Sequence, residues 1–280
     1  MSDSTRRPRR RSSLIAALAA LTSIAAIAAI ATLAPSAAQA ALVTKTVEYK
    51  AGDTVCEGYL AYDDATNDRR PGVLVVHAWK GLDAHSKRSC EELAGLGYVA
   101  FAADIYGKGV RPSTMEDAAK TSGIYRGDRP LLRARVNAGL DELKRQSQTD
   151  SARLAAIGYC FGGMTVLELA RSGADLDGVV SFHGGLGSPT PADAKKIKAH
   201  VLALHGADDP FVSAEELAGF QKEMREGGVE WQLVSYGGAV HSFTDPDAGN
   251  DPSQGAAYDP LAARRAWAAM RSFFDEVVQK

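Results

Sequence analysis

Residues 156–163 read Ala-Ile-Gly-Tyr-Cys-Phe-Gly-Gly and place Cys160 between glycines, where an apolar strand pattern changes into a helical one. This spacing is typical of a nucleophile elbow, with sulfur in place of oxygen. In the serine form, a strained turn lifts the nucleophile clear of the sheet, and flanking glycines let backbone pass where a Cβ would clash. The stretch therefore predicts a strand, a tight turn at Cys160 and a helix.

Strand and helix patterns alternate on both sides of this turn. Residues 43–62 predict two antiparallel strands joined at Ala51-Gly52-Asp53. The further predicted strands are 72–77, 99–103, 153–158, 178–182, 201–204 and 231–236, and the predicted helices are 84–96, 113–125, 130–145, 161–171, 214–225 and 260–278. Parallel strands need crossover connections and cover on both faces. We therefore expect an α/β fold with a mainly parallel central sheet and helices on both faces.

Residues 1–40 have the pattern of a signal peptide. Five arginines precede residue 12, an uncharged Ala/Leu/Ile run covers 14–34, and Ala38-Gln39-Ala40 offers a cleavage site. We expect residues 41–280 to form one exported domain, periplasmic or extracellular. The run approaches the ~20 residues of a membrane span, so an uncleaved anchor is the alternative. Arg6-Arg7 suggests twin-arginine export, but Pro8 follows it, and the route stays open.

The domain is acidic. The chain carries a formal charge of −2, and residues 1–40 contain five arginines and one aspartate, so residues 41–280 carry −6. Such a charge argues against nucleic acid or anionic membranes as partners. We expect a monomer that acts on a small molecule, without stable membrane association after cleavage.

Three cysteines are present, which leaves one thiol over if two form a disulfide in an oxidising compartment. Cys56 and Cys90 are the candidate pair, with Cys160 free. The alternative is that both are small buried thiols.

A cysteine nucleophile needs a base, and the base needs an acceptor for its other ring nitrogen. Downstream of Cys160, residues 205–212 (His-Gly-Ala-Asp-Asp-Pro-Phe-Val) end a strand in an acidic turn, and residues 236–243 (Tyr-Gly-Gly-Ala-Val-His-Ser-Phe) carry a histidine on a glycine-rich loop. The order nucleophile, acid, histidine is that of α/β hydrolases. Strand ends at one sheet edge also bring such groups together.

These three segments resemble those of the dienelactone hydrolase family of α/β hydrolases, over nearly all of residues 43–278. The resemblance implies a Cys160–His241–Asp209 triad and favours Asp209 over Asp208, which we interpret as a turn or helix-capping residue. The other histidines are interpreted as structural or solvent-facing, because none has the late position that the order requires: His77, His85, His183, His200 and His205.

The oxyanion hole of an elbow enzyme uses the N–H after the nucleophile and one from an earlier strand loop. We expect these to be the backbone N–H groups of Phe161 and Trp79. A long Asp/Gly/Pro-rich loop, 245–258, follows the histidine, and we expect it at the pocket rim.

Two residues depart from the family pattern. Ala78 stands where the family usually has a glutamate that contacts the resting cysteine, so His241 and the helix N-terminus must lower the pKa of Cys160 instead. Asp245 replaces the arginine that binds the substrate carboxylate in dienelactone hydrolase itself. Arg126 is a candidate substitute for that arginine, and a solvated surface arginine is the simpler interpretation.

We therefore expect a carboxylic ester hydrolase, similar to carboxymethylenebutenolidase, that cleaves small-molecule esters or lactones through an acyl-enzyme thioester. No metal or organic cofactor is implied. Two alternatives stay open: a broad-specificity carboxylesterase or thioesterase, and a non-enzymatic thiol redox or binding protein on a hydrolase scaffold.

Overall fold

The computed structural model describes residues 41–279, so the predicted signal peptide, 1–40, lies outside the described residues. The strands within that range are β1 Leu42–Ala51, β2 Thr54–Asp63, β3 Arg70–Val76, β4 Val99–Ala103, β5 Thr149–Tyr159, β6 Gly178–Phe182, β7 His200–Gly206 and β8 Trp231–Tyr236. The helices are α1 Ala84–Gly95, α2 Met115–Gly127, α3 Arg129–Arg145, α4 Phe161–Arg171, α5 Ala214–Gly227 and α6 Pro260–Val277. Short 3-10 turns cover Pro191–Lys196, Pro246–Ala248 and Pro252–Gln254.

The strands form one sheet in the order β1-β2-β4-β3-β5-β6-β7-β8. The pairs from β4 through β8 are parallel, whereas β1 and β2 form an antiparallel hairpin and β2 pairs antiparallel with β4. Gly52 turns the hairpin at φ 61°, in the left-handed region that favours glycine. The predicted hairpin and the mainly parallel sheet are confirmed.

The strand order reverses between β3 and β5. The chain moves from β3 to β4 on one side and then from β5 through β8 on the other. In open α/β sheets, such a switch point leaves a crevice at the carboxyl ends of the strands. Cys160 directly follows β5, so the switch point places it at this crevice.

Two apolar layers enclose the sheet. Alternate residues of a strand point to opposite faces, and β3 accordingly sends Leu74 into one core cluster and Val73 into the other. Residues of α3, α4 and α5 fill the first cluster, and residues of α1 and α6 fill the second. Helices therefore cover both faces, as predicted.

The three cysteines are free and buried. Cys56 on β2 belongs to the first core cluster, and Cys90 on α1 belongs to the second, across the sheet. A bridge between them would have to pass through the sheet. The disulfide alternative is therefore wrong for this structure, and both residues are small buried thiols.

Some predicted element ends were wrong. Helix α2 begins at Met115, two residues later than predicted, because the Thr114 side chain accepts the N–H of Asp117 as its N-cap. Strand β5 begins at Thr149, whereas the prediction began it at residue 153. Its first residues pair with Arg70 and Pro71 of β3, and the register shifts between Pro71 and Gly72. No helix within 41–279 combines the length and apolarity that a bilayer crossing requires.

Candidate active site

The elbow has the strained geometry that the glycines predict. Cys160 has φ 54° and ψ −112°, between the end of β5 and the start of α4. A Cβ on Gly158 would lie 2.1 Å from the carbonyl oxygen of Gly162, and one on Gly162 would lie 2.2 Å from that of Val76. Because the obstacles are backbone atoms, only glycine fits at either position.

The structure brings the three predicted triad side chains together. His241, after β8, lies with Nε2 3.0 Å from Cys160 Sγ and with Nδ1 2.8 Å from Asp209 Oδ2. The second Asp209 oxygen, Oδ1, accepts the N–H of Phe211 at 2.8 Å. Cys160 and Asp209 are only 8% and 5% exposed, so these contacts are shielded from bulk water.

Asp208 points elsewhere. It lies on an exposed turn, and its N–H donates to the carbonyl of Ala239 at 3.0 Å. The N-cap of the following helix, α5, is Ser213. The turn interpretation of Asp208 holds, and the helix-capping one is wrong.

The long loop after the histidine holds the His241 backbone. The His241 N–H donates to the Gly255 carbonyl at 3.2 Å, and the Ala257 N–H donates to the His241 carbonyl at 3.0 Å. The loop 245–258 thus lies beside the triad and fixes the backbone from which the imidazole projects.

The environment favours a charged pair. Burial by itself raises the pKa of the Cys160 thiol, but the hydrogen bond and positive charge of His241, then Arg126 and the Phe161 N–H, bring it below the usual value. Burial opposes protonation of His241, yet its hydrogen bonds to Asp209 and Cys160 raise its pKa to about 10. The two shifts, a lowered pKa for Cys160 and a raised pKa for His241, both favour a thiolate beside an imidazolium.

The two predicted oxyanion donors lie on different elements. Phe161 is the first residue of α4, where the N–H has no partner within the helix. Trp79 follows β3, and its N–H has no hydrogen-bond partner among residues 41–279. Its carbonyl accepts the hydroxyl of Tyr106 at 2.9 Å, which fixes the orientation of that peptide.

His77 and Tyr106 support this loop. His77 is structural, as interpreted from the sequence, whereas no sequence pattern indicated the role of Tyr106. His77 Nε2 accepts the N–H of Ile105 at 3.2 Å, so Nδ1 carries the proton and donates to the Ala78 carbonyl at 2.6 Å. Burial lowers the pKa of His77 and keeps it neutral. One feature of the sequence could have indicated Tyr106, namely its position. Tyr106 follows the end of β4, as Cys160 follows the end of β5.

The remaining histidines hold structural positions. His183 is buried, with its Nε2 2.8 Å from the Thr244 hydroxyl and its ring 5.4 Å from that of His241. Burial lowers its pKa well below the usual range, so it is neutral. His205 is buried, His85 packs on Tyr159, and His200 lies 3.2 Å from Glu230.

The structure defines the surroundings of the residues at which the sequence departs from the family pattern. Ala78 presents no carboxylate, and Cys160 contacts His241 directly. Asp245 Oδ1 accepts the N–H of Asp247 at 3.0 Å and thereby caps a 3-10 turn. Arg126 is exposed in the last turn of α2, and its charge contributes to the lowered pKa of Cys160.

A separate cavity of about 280 Å³ lies between α1, α6 and the histidine loop. Its walls include His85, Tyr159, Thr244 and Trp267, and none of the three triad side chains lines it. The candidate active site is therefore distinct from this cavity.

A strand order that reverses beside a cysteine on a nucleophile-elbow turn, with an aspartate and a histidine on the following strand ends, is the architecture of an α/β hydrolase. The family model described as the dienelactone hydrolase family matches residues 56–278, and the chain belongs to this family of hydrolases.

Three similar proteins illustrate the family. A dienelactone hydrolase-like promiscuous phosphotriesterase from metagenomic libraries is 43% identical, with TM-score 0.81, covering 85% of this chain and 99% of its own. A Bradyrhizobium protein named "Probable 2-oxo-3-(5-oxofuran-2-ylidene)propanoate lactonase" is 30% identical over 75% of this chain and 84% of its own. An Aquifex aeolicus protein assigned provisionally as a carboxymethylenebutenolidase is 28% identical over 81% and 96%.

Proposed function

We propose that this hydrolase cleaves small-molecule esters or lactones with Cys160 as nucleophile, through an acyl-enzyme thioester. The observation that carries the proposal is the continuous contact from Cys160 Sγ to His241 Nε2 at 3.0 Å and from His241 Nδ1 to Asp209 at 2.8 Å. A nucleophile joined to a base, and a base joined to an orienting carboxylate, is the arrangement that acyl transfer requires.

In the acylation step, the Cys160 thiolate attacks the carbonyl carbon and forms a C–S bond, while the π electrons move to the carbonyl oxygen. The backbone N–H groups of Phe161 and Trp79 stabilise this oxyanion. As the C–O bond to the leaving group breaks, the Nε2–H of His241 protonates the departing alkoxide. The acyl group is then held as a thioester.

Deacylation runs through the same groups. His241, now neutral, takes a proton from water, the resulting hydroxide attacks the thioester, and the thiolate leaves with the bonding electrons. The acid product departs, and Asp209 stabilises the restored imidazolium. In a lactone the alkoxide stays attached to the acyl group, so ring opening yields a single product.

Activation of Cys160 does not need the family glutamate, since the thiolate is already stabilised by His241. Ala78 supplies no competing carboxylate beside the sulfur. Before substrate binds, Cys160 therefore carries more thiolate than an ordinary cysteine would.

The acidic histidine loop favours neutral substrates over anionic ones. Asp245 stands where the family's carboxylate-binding arginine lies, and a second carboxylate there would be repelled. We propose neutral esters and lactones as the preferred class, which includes the carboxylesterase alternative. Neutral phosphotriesters form a second candidate class, supported by the 43% identical phosphotriesterase.

Mass spectrometry tests the nucleophile. Brief reaction with an aryl ester should add one acyl group to the peptide that contains Cys160, and Cys160→Ala should remove both adduct and turnover. His241→Gln should also abolish turnover, whereas His200→Gln, a histidine remote from the triad, should not. An adduct on a different residue, or turnover that survives in both triad variants, would overturn the assignment of Cys160 and His241 as catalytic residues.

We further propose that residues 1–40 direct export and are removed, since the first strand begins at Leu42. The intact mass of protein recovered from outside the cytoplasm should correspond to a chain that starts at Ala41. A full-length mass in the membrane fraction would favour the uncleaved anchor.

A further inference from the structure

Phe211 is a large apolar side chain exposed beside the triad. It is 63% exposed, although it lies only two residues after Asp209. Its ring centroid lies 5.2 Å from that of His241, with the two planes at 88°. Its N–H donates to Asp209 Oδ1, so the backbone at this position is fixed by the triad itself.

The His241 ring has two aromatic neighbours, one buried and one exposed. His183, 2% exposed, lies with its ring 5.4 Å from that of His241. Phe211 is the neighbour that faces solvent. Of the two, Phe211 is therefore the one that a molecule in solvent can contact.

The long loop supports the Phe211 ring from behind. A Cβ on Gly255 would lie 2.9 Å from Pro210 Cγ and 3.5 Å from Phe211 Cζ, so the loop backbone packs closely against both. The same Gly255 accepts the His241 N–H. The ring is thus held in place against the histidine loop while one side stays open to solvent.

The chemistry of acylation decides which portion of the substrate lies beside His241 and Phe211. The leaving oxygen must come within hydrogen-bond distance of His241 Nε2 to receive its proton. The substituent on that oxygen therefore lies beside the imidazole, whereas the carbonyl oxygen points at the Phe161 and Trp79 amides. Because the Phe211 ring lies 5.2 Å from this imidazole, we assign it to the alcohol side of the scissile bond.

We propose that Phe211 is a specificity-determining residue that binds an apolar, preferably aromatic, alcohol portion of the substrate. This inference rests on the proposed Cys160 acyl-transfer function and names its substrate class as esters of apolar alcohols. Removing one aromatic wall of such a subsite costs about tenfold in kcat/KM.

Three esters separate the two ends of the substrate. Ethyl acetate is small at both ends, benzyl acetate has its ring on the alcohol, and ethyl phenylacetate has its ring on the acyl group. Phe211→Ala should lower kcat/KM about tenfold for benzyl acetate and less than about twofold for the other two esters. Phe211→Tyr should keep the preference for benzyl acetate.

Leu261→Ala provides the matched control, because Leu261 is an exposed apolar residue of α6, 42% exposed. It should change none of the three rates. Equal loss on all three esters in Phe211→Ala would overturn the proposal, since it would mean that Phe211 only supports Asp209. Loss confined to ethyl phenylacetate would also overturn it, by assigning Phe211 to the acyl side.

The Cys160 adduct distinguishes this inference from the proposed function. If Cys160→Ala retains turnover of benzyl acetate, the proposed function fails, whatever Phe211→Ala does. If the adduct forms and Phe211→Ala changes kcat/KM equally for ethyl acetate and benzyl acetate, the proposed function stands. The alcohol subsite alone is then overturned.

Discussion

Cys160 and His241 titrate as a pair because each stabilises the charged form of the other across 3.0 Å. Two protons leave the pair in two steps, the first from the thiol, at a pH below the usual thiol pKa, and the second at about pH 10 from the imidazolium. The form that the proposed mechanism uses, thiolate with imidazolium, therefore exists between these two steps. It is lost by protonation of sulfur as pH falls and by deprotonation of His241 as pH rises.

Alkylation of Cys160 by iodoacetamide measures the first step. In the wild-type protein the alkylation rate should reach its plateau below the pH at which an ordinary thiol ionises. In His241→Ala the midpoint of the alkylation rate against pH should move above that of an ordinary thiol. Burial, which raises the pKa of Cys160, is then no longer opposed by the His241 charge and hydrogen bond. An unchanged midpoint would contradict the charged pair, and His200→Ala serves as the control.

Ester turnover measures the second step. It should decline as pH rises through about 10, because neutral His241 cannot protonate the leaving group. Alkylation should persist over the same interval, since it needs only the thiolate. A parallel decline of both rates would instead indicate unfolding.

Asp209 and Asp208 form a natural matched pair. Asp209→Asn should lower kcat on the order of 10⁴-fold with little change in KM, because the imidazolium loses its orienting carboxylate. Asp208→Asn should stay within about twofold of wild type, since its side chain faces solvent. Comparable losses in both variants would remove Asp209 from the proposed triad.

At the scale of elements, the connection from β5 to α4 requires backbone segments to lie so close together that no side chain fits between them. Gly162→Ala would place a Cβ 2.2 Å from the Val76 carbonyl oxygen and 2.6 Å from that of His77. We expect a loss of about 3 kcal/mol in the free energy of unfolding, with loss of ester turnover. Urea denaturation and steady-state kinetics measure these two effects.

Gly123 on α2 supplies the control for that substitution. A Cβ there meets no atom within 4 Å. Gly123→Ala should therefore stabilise the protein by about 0.5–1 kcal/mol, the usual gain in a helix. A destabilised Gly123→Ala would show that alanine is poorly tolerated for reasons other than the elbow.

Sequence patterns located the elements well where the pattern was strong. The predicted β4, β6, β8 and α4 have the same bounds as in the structure. The ends of α2 and β5 were wrong by two to four residues, because side-chain caps and sheet register decide them. Hydrophobic periodicity reports burial along an element and carries little information about its ends.

At the scale of the whole molecule, a buried ion network joins the helices on one face of the sheet. Arg171 of α4 is fully buried and contacts Glu223 of α5 at 2.7 Å and Glu168 of its own helix at 3.1 Å. Arg133 of α3 donates to the same Glu168 at 2.9 Å. Helix α4, which begins directly after Cys160, is thereby fixed to its two neighbours.

Glu223→Ala should destabilise the protein by roughly 3–5 kcal/mol, because Arg171 loses its main partner without access to water. Glu226→Ala, on the same helix, removes an exposed contact of 3.9 Å to Lys222 and should cost no more than about 0.5 kcal/mol. The difference between the two variants is measured by the midpoints of their urea denaturation curves, compared at the same m value. Similar costs for the two variants would contradict the role assigned to the network.

The sequence by itself determined the element types, the mainly parallel sheet, the elbow at Cys160 and the order of cysteine, acid and histidine. These properties depend on residue identity and local periodicity. Only the tertiary structure decided the contacts between distant residues, such as His241 with Cys160, 81 positions apart. It also placed Phe211 against His241, Tyr106 against Trp79, and Cys56 and Cys90 on opposite faces of the sheet. Such contacts follow from sheet order and loop paths, which no periodic pattern in the chain encodes.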